Sequence, residues 1–324
     1  MTVTAAVARH LPVMLERSLE LLRPRPGGVY VDATLGLGGH TERLLAASAP
    51  DGRVLGLDRD RAALGAARAR LHAAGQRLTA VPASFADLAE VAARAGITAA
   101  DGVLYDLGVS SLQLDAPGRG FAYRTDEPLD MRMDPTSGPT AADVVNTYPV
   151  AELARVLRAY GEERFAGRIA RFLDDARRRA PIQTTGELAE LVKAAIPAAA
   201  RRTGPHPARR TFQALRIEVN GELAALEASL PQAIDLLAPG GRIVVLAYHS
   251  LEDRIVKHAF AAAAGGDWSP PELPEHVVRR TPRLRVLTRR PETPGPGEVA
   301  ANPRAESAKL RAAEKLAATT EEGA

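Results

Sequence analysis

Residues 28–58, GVYVDATLGLGGHTERLLAASAPDGRVLGLD, constrain the fold of this chain more than any other stretch. They read as strand, glycine turn, helix, strand. Val29, Tyr30 and Val31 form a short apolar run that ends at Asp32. Gly36, Gly38 and Gly39 follow, and a helical pattern then runs through Leu44, Leu45 and Ala46. Asp51 and Gly52 make a turn, and Val54, Leu55, Gly56 and Leu57 form a second buried run that stops at Asp58. Two such runs joined by a helix imply parallel strands, and open α/β sheets bind ligands at the carboxyl ends of those strands.

The turn favours a nucleoside ligand. Glycine has no Cβ and reaches positive φ, so the backbone can approach a flat ligand closely. Asp58 follows Gly36 by 22 residues and sits at the tip of the second strand. A carboxylate there accepts hydrogen bonds from both ribose hydroxyls, as the acidic residue of dinucleotide sites does. The dinucleotide fingerprint is nevertheless incomplete, because G-x-G-x-x-G needs glycine where this chain has Thr41. Asp32 also suits a ligand with a cationic group better than a pyrophosphate. S-adenosylmethionine, with its ribose, sulfonium and α-ammonium, meets both requirements. The alternative is an ordinary glycine-rich βα loop with a solvated aspartate, and carboxylates at both strand ends make that the weaker reading.

At 324 residues the chain can hold one large domain or two. It contains no cysteine, which excludes disulfides, a thiolate nucleophile and Cys-ligated zinc. No His/Asp/Glu cluster has metal-ligand spacing, so no metal is expected. The segment MTVTAAVARHLPVML lacks a basic region followed by a long apolar core, so neither a signal peptide nor a membrane span is expected, and the expected location is cytoplasmic. The formal charge is only +3, yet lysine occurs at four positions alone and arginine carries nearly all the positive charge. Arg201, Arg202, His206, Arg209, Arg210 and Arg216 form one basic cluster. Arg279, Arg280, Arg283, Arg285, Arg289 and Arg290 form another. Either cluster could track an RNA backbone, and either could be a solvated surface.

Further along, residues 59–75 predict an Ala/Arg-rich helix ending at Gly75, and 78–82 a third strand followed by Phe85, placed to cover an adenine face or to pack in the core. A fourth strand, DGVLYDL, ends near Asp106. The expected loop GVSSLQLD then offers Ser110, Ser111 and Gln113. The stretch GRGFAYRTDEPLDMRMDPTSGP has almost no apolar period, and long structureless segments are usually functional. Residues 140–200 show helical spacing throughout, with caps expected at Thr140 and Thr185. One long helix is expected to lead from there to Pro239-Gly240-Gly241. A strand over 243–247, the polar group Tyr248, His249 and Ser250, a helix from near Leu251 and a polar strand or helix in the tail complete the expectation.

The motifs HLPVMLE, YVDATLGLGGHT, LDRD, YDLGVSS, RGFAYR, PLDMRMDP, YGEERFA, RRTFQALRIEVN, LAPGGRIVVLAYHSLEDRIVK and NPRAESAKLR occur in that order from about His10 to Arg311. Together they resemble the bacterial 16S rRNA cytosine-N4 methyltransferases, the MraW/RsmH family. The resemblance implies an α/β fold: a Rossmann-like class I methyltransferase sheet with an inserted small all-helical domain. The corresponding boundaries are 1–115 for the first part of the methyltransferase domain, 116–210 for the insertion and 211–324 for the second part and tail. It further implies methyl transfer from S-adenosyl-L-methionine to N4 of one cytidine in the decoding region of small-subunit RNA. Carried over by motif, the cofactor contacts are Gly38, Gly39, His40, Asp58, Phe85, Asp106 and Gln113. Asp106 and Ser110 are expected to hold the amine, and His249 to line the opposite wall or to cap a helix. Leu112 stands where the family commonly has Pro, and Tyr248 replaces a usual Phe. The expected partners are 16S rRNA and the small ribosomal subunit, with no membrane and with a homodimer possible. The rival classes are a nicotinamide-dependent oxidoreductase and a non-catalytic RNA-assembly factor on the same sheet.

Overall fold

A computed structural model describes residues 12–201, 206–265 and 281–317. Arg202, Arg279 and Arg280 lie outside these residues. The chain divides into two compact units, Val7–Gly108 with Leu223–Ala324, and Met1–Ala6 with Val109–Glu222. The expected boundaries after residues 115 and 210 fall inside the second unit. Residues 109–115 open that unit, and the helix of the RRTFQALRIEVN motif closes it, because its apolar face packs among the inserted helices.

The first unit is a Rossmann-like sheet. Helix α1 (Leu15–Leu22) leads to β1 (Val29–Asp32), α2 (Gly39–Ala47), β2 (Arg53–Asp58), α3 (Arg61–Arg70), β3 (Leu78–Pro82), α4 (Leu88–Arg94) and β4 (Ala100–Asp106). Strands β1 to β4 pair in parallel. Successive residues point to opposite faces, and both faces are covered. Val31, Leu55, Leu57, Val103 and Tyr105 pack on one side, and Tyr30, Val54 and Leu104 on the other. That double burial is why the strands read as continuous apolar runs rather than alternating ones. Each fully buried Leu or Val contributes roughly 1.5–3 kcal/mol. Helix α3 stops at Arg70, not at Gly75. The chain turns there so that Leu71 enters the core against Gly38, and a 3-10 turn, His72–Arg77, follows.

The second unit is helical. Its first element corrects an expectation: GVSSLQLD is not all loop, because α5 (Ser111–Asp115) begins there. Helices α6 (Ala141–Thr147), α7 (Val150–Gly161), α8 (Ala166–Arg177), α9 (Thr185–Ala195), the short α10 (Ala198–Arg201) and α11 (Arg209–Asn220) follow. Val144, Leu153, Leu157, Ile169, Leu173, Leu188 and Leu215 form the core of this unit. Thr140 caps α6 as expected, but α9 is capped by Thr184, one residue before the expected Thr185. Thr185 instead turns inward, donating its hydroxyl to the Thr125 carbonyl and accepting from the Glu127 N–H. The polar stretch 116–140 has no helix or strand, yet Phe121, Leu129, Met131 and Met133 fill part of the core.

The chain returns to the sheet on α12 (Glu222–Leu236) and β5 (Leu237–Ala247). The one long helix expected here is two, because Gly221 takes φ +59 and closes α11 in the left-handed region. Strand β5 starts at Leu237 rather than 243, with a register shift opposite Ala100 and Gly102 that accommodates Pro239-Gly240-Gly241. After α13 (Ser250–Ala263), β6 (Leu284–Val286) and α14 (Pro296–Ala301), the tail forms β7 (Lys309–Lys315). The sheet order is β3-β2-β1-β4-β5-β7-β6, with β7 antiparallel to both its neighbours. The strand order reverses between β1 and β4, which is the crevice where such sheets bind ligands.

Candidate active site

Three adjacent strands, β2, β1 and β4, each end in an aspartate: Asp58, Asp32 and Asp106. The parallel register aligns their carboxyl ends, so the carboxylates line the crevice edge of the sheet.

Asp58 is half-buried and gripped by backbone. Gly36 N–H donates to its Oδ2 at 2.8 Å and Asp60 N–H to its Oδ1 at 2.8 Å. Each oxygen keeps a second lone pair, which two ribose hydroxyls can use. Burial pushes the carboxyl up to about 6, against the two N–H donors that lower it. The second aspartate of LDRD does different work: Asp60 caps α3, accepting from the Ala62 and Ala63 N–H groups. Gly36 and Gly38 take φ +51 and +78, and a side chain at Gly38 would strike Leu71 at 2.7 Å. The turn therefore needs glycine at 38 both for its backbone conformation and for its packing.

Asp32 is 1% exposed. It accepts a 2.6 Å bond from the Thr41 hydroxyl and a 3.2 Å bond from Thr34 N–H. Burial raises its pKa, against these donors. His40, in the first turn of α2, is buried too, and burial lowers its pKa. Its Nε2 lies 3.2 Å from the Val13 carbonyl, which can only accept, so Nε2 carries the proton. The neutral ring then presents the Nδ1 lone pair to Asp106 Oδ2 at 3.6 Å. Asp106 is fixed from two sides: Tyr248 donates its hydroxyl to Oδ1 at 2.6 Å, and the Asp106 N–H donates to Thr34 Oγ1 at 2.6 Å.

The remaining expected residues are distributed as follows. Phe85 opens a 3-10 turn after β3, half-buried, with its ring edge-to-face on Tyr105 at 5.8 Å. His249 caps α13: its Nδ1 accepts from Glu252 N–H at 3.3 Å, and its Nε2 lies 3.2 Å from Glu252 Oε1. Ser110 and Gln113 belong to the helical unit, where they form the capping box of α5. Ser110 Oγ accepts from Gln113 N–H, and Gln113 Oε1 accepts from Ser110 N–H. Several basic-cluster residues are held by the protein itself. Arg216 forks onto Glu222 at 2.8 Å, Arg285 pairs with Glu314 at 2.7 Å, and Arg283 pairs with Asp235. Arg201, Arg209, Arg289 and Arg290 are exposed.

Thr34, Thr41 and Tyr248 were not read from the sequence as site residues. Thr41 had a signal, since it occupies the third-glycine position of the dinucleotide fingerprint, one turn into α2 and facing the end of β1. Among the described residues no group of three or more His, Asp or Glu side chains could hold a metal, and no helix is long and apolar enough to cross a membrane.

A family model described as the MraW methylase family matches residues 7–316. The chain is 58% identical over 315 residues to ribosomal RNA small subunit methyltransferase H of Acidothermus cellulolyticus, covering 96% of this chain and 95% of that one. It is 57% identical over 309 residues to the protein of that name from Thermobifida fusca, covering 94% and 93% of the two chains. The corresponding protein of Symbiobacterium thermophilum is 55% identical over 312 residues, 96% of this chain and 98% of its own. With a family match spanning nearly the whole chain, a glycine turn gripping Asp58 and carboxylates at three adjacent strand ends, this protein belongs to the MraW methylase family.

Proposed function

We propose that this protein is an S-adenosylmethionine-dependent methyltransferase that acts in the cytoplasm on N4 of one cytidine in the 16S RNA of the small ribosomal subunit. The row of aspartates at the ends of β2, β1 and β4 carries the reading, on a chain more than half identical to small-subunit rRNA methyltransferases. The residues fit the cofactor. Asp58 would take the ribose hydroxyls, Gly38 and Gly39 would let backbone approach, and Phe85 would cover the adenine. His40 Nδ1 and Asp106 Oδ2, which face one another, would take the α-ammonium. When bound, the cofactor supplies an electrophilic methyl group on a sulfonium.

The exocyclic amine of cytosine is a weak nucleophile because its lone pair is delocalised into the ring. The protein's task is therefore to place N4 in line with that methyl group and to accept an amine proton, and positioning supplies much of the rate. Methylation of N4 would displace one of its amine protons, which the protein must take up. Asp106 is the acceptor for that proton. Ser110 and His249 act through the helix starts that they cap, and Gln113 acts through the same box as Ser110. The target base must leave any stack to reach a strand-end carboxylate.

The test is methyl transfer from labelled S-adenosylmethionine to small-subunit particles and to naked 16S RNA lacking the mark, read by nucleoside mass spectrometry. N4-methylcytidine at a single site, lost in Asp106→Asn, is the expected result. Cofactor binding without transfer to either acceptor would overturn the substrate assignment, and absence of cofactor binding would return the chain to the assembly-factor class.

A further inference from the structure

Tyr248 occupies the corner between β5 and α13 and touches the end of β4 twice. Its hydroxyl donates to Asp106 Oδ1 at 2.6 Å. Its ring lies against Gly108, where an added Cβ would sit 3.4 Å from Tyr248 Cδ2 and where φ is +95. From the other side, Tyr248 N–H donates to Glu252 Oε2 at 2.8 Å. Glu252 is 2% exposed and closes the capping box of α13 with His249. The start of α13 is thus tied through a single tyrosine to the carboxylate at the end of β4. That bond engages Oδ1 and leaves Oδ2 facing His40 Nδ1 at 3.6 Å.

We propose that Tyr248 is a positioning residue for the methyl-transfer reaction: its hydroxyl fixes the rotation of the Asp106 carboxylate and holds it in the ionised, proton-accepting form. The inference rests on Asp106 being the acceptor proposed above. A hydroxyl that donates to a carboxylate stabilises its charged form, so removing the donor makes the carboxylate easier to protonate. Among the described residues, His40 from α2, Asp32 from the end of β1 and Tyr248 face Asp106. Those facing Tyr248 are Asp106, Glu252 and Glu298, all acidic.

Tyr248→Phe keeps the ring on Gly108 and deletes only the hydroxyl. In the full-length protein, kcat against pH is measured with labelled cofactor and small-subunit particles lacking the mark. The acidic limb should move upward by about one pH unit, with a loss of about tenfold below the limb that is recovered at alkaline pH. A purely structural role for Tyr248 would lower the rate by the same factor at every pH, and that result, like superposable profiles, would overturn the proposal. A second measurement is independent of the acceptor. The Asp106 carboxyl is followed by 13C NMR in labelled protein, assigned through Asp106→Asn, and should titrate about one unit higher in Tyr248→Phe. An unchanged titration overturns the proposal. If the wild-type protein transfers no methyl to particles or RNA while the titration shifts as expected, the substrate assignment has failed and the Tyr248–Asp106 coupling stands.

Discussion

Asp58 separates ligand chemistry from fold at the level of a single side chain. Its oxygens already accept from Gly36 and Asp60, so a ribose adds bonds to a carboxylate that is held in place beforehand. Charge-assisted hydrogen bonds are worth roughly 1.5–3 kcal/mol each. Asp58→Ala should therefore weaken cofactor binding by ~10- to 100-fold or more in calorimetry. Burial puts this carboxyl at about 6 in the ligand-free protein, and the ribose hydroxyls need its ionised form. Affinity should accordingly be flat above pH 6, fall toward tenfold per pH unit below it, and lose that dependence in Asp58→Asn. Thr41 tests the buried neighbour. Thr41→Val keeps the shape and removes the 2.6 Å donor to Asp32, leaving a buried carboxylate short of a partner. Urea unfolding should show a loss of about 1–3 kcal/mol, with Thr41→Ser restoring most of it.

The stretch 116–140 has no regular element, so its backbone groups must find partners elsewhere. Asn220, the last residue of α11, supplies several. Its Nδ2 donates to the Met131 carbonyl at 2.8 Å, and its Oδ1 accepts from Met133 N–H at 2.8 Å. The first part of the stretch is pinned to α9, where Glu127 and Thr185 exchange backbone and hydroxyl bonds and Leu129 N–H reaches the Gln183 carbonyl. Asn220→Ala leaves the Met131 and Met133 groups unpaired in the core. It should destabilise the helical unit by about 2–4 kcal/mol and speed limited proteolysis within residues 119–139. Helical periodicity announced α7, α8 and α9 closely because each shows a single apolar face. The same periodicity could not show that Gly221 divides α11 from α12, since a glycine inside an apolar repeat leaves the spacing intact and only its φ breaks the helix.

Across the whole sheet unit, closure depends on the tail. Strand β7 lies between β5 and β6, antiparallel to both, and buries Leu310, Ala312 and Ala313. Well-buried ion pairs lock it. Arg242 reaches Glu314 at 2.8 Å, and Arg311 reaches Asp253 on α13 at 2.6 Å, all four side chains at 16% exposure or less. A chain truncated after Gly265 would turn β5, with Ile243, Val244 and Val245, into a bare edge strand. Such an edge is a template for aggregation, so the truncated protein should be recovered in the insoluble fraction on expression. Soluble, cofactor-binding protein would show that β7 is dispensable.

The sequence by itself determined the strand-turn-helix-strand frame, the placement of Asp32, Asp58 and Asp106 at strand ends, and the family. These follow from local periodicity, from glycine's backbone freedom and from motifs contiguous in the chain. Only the tertiary structure decided what those aspartates face. Tyr248 is 142 residues from Asp106, and Asn220 is 89 residues from Met131. It also assigned Ser110, Gln113 and His249 to helix caps, and it paired Arg216, Arg283 and Arg285 with carboxylates. The physical reason is common to all of these: hydrogen bonds and ion pairs join atoms by position in space, and a one-dimensional pattern records only which side of an element a residue faces.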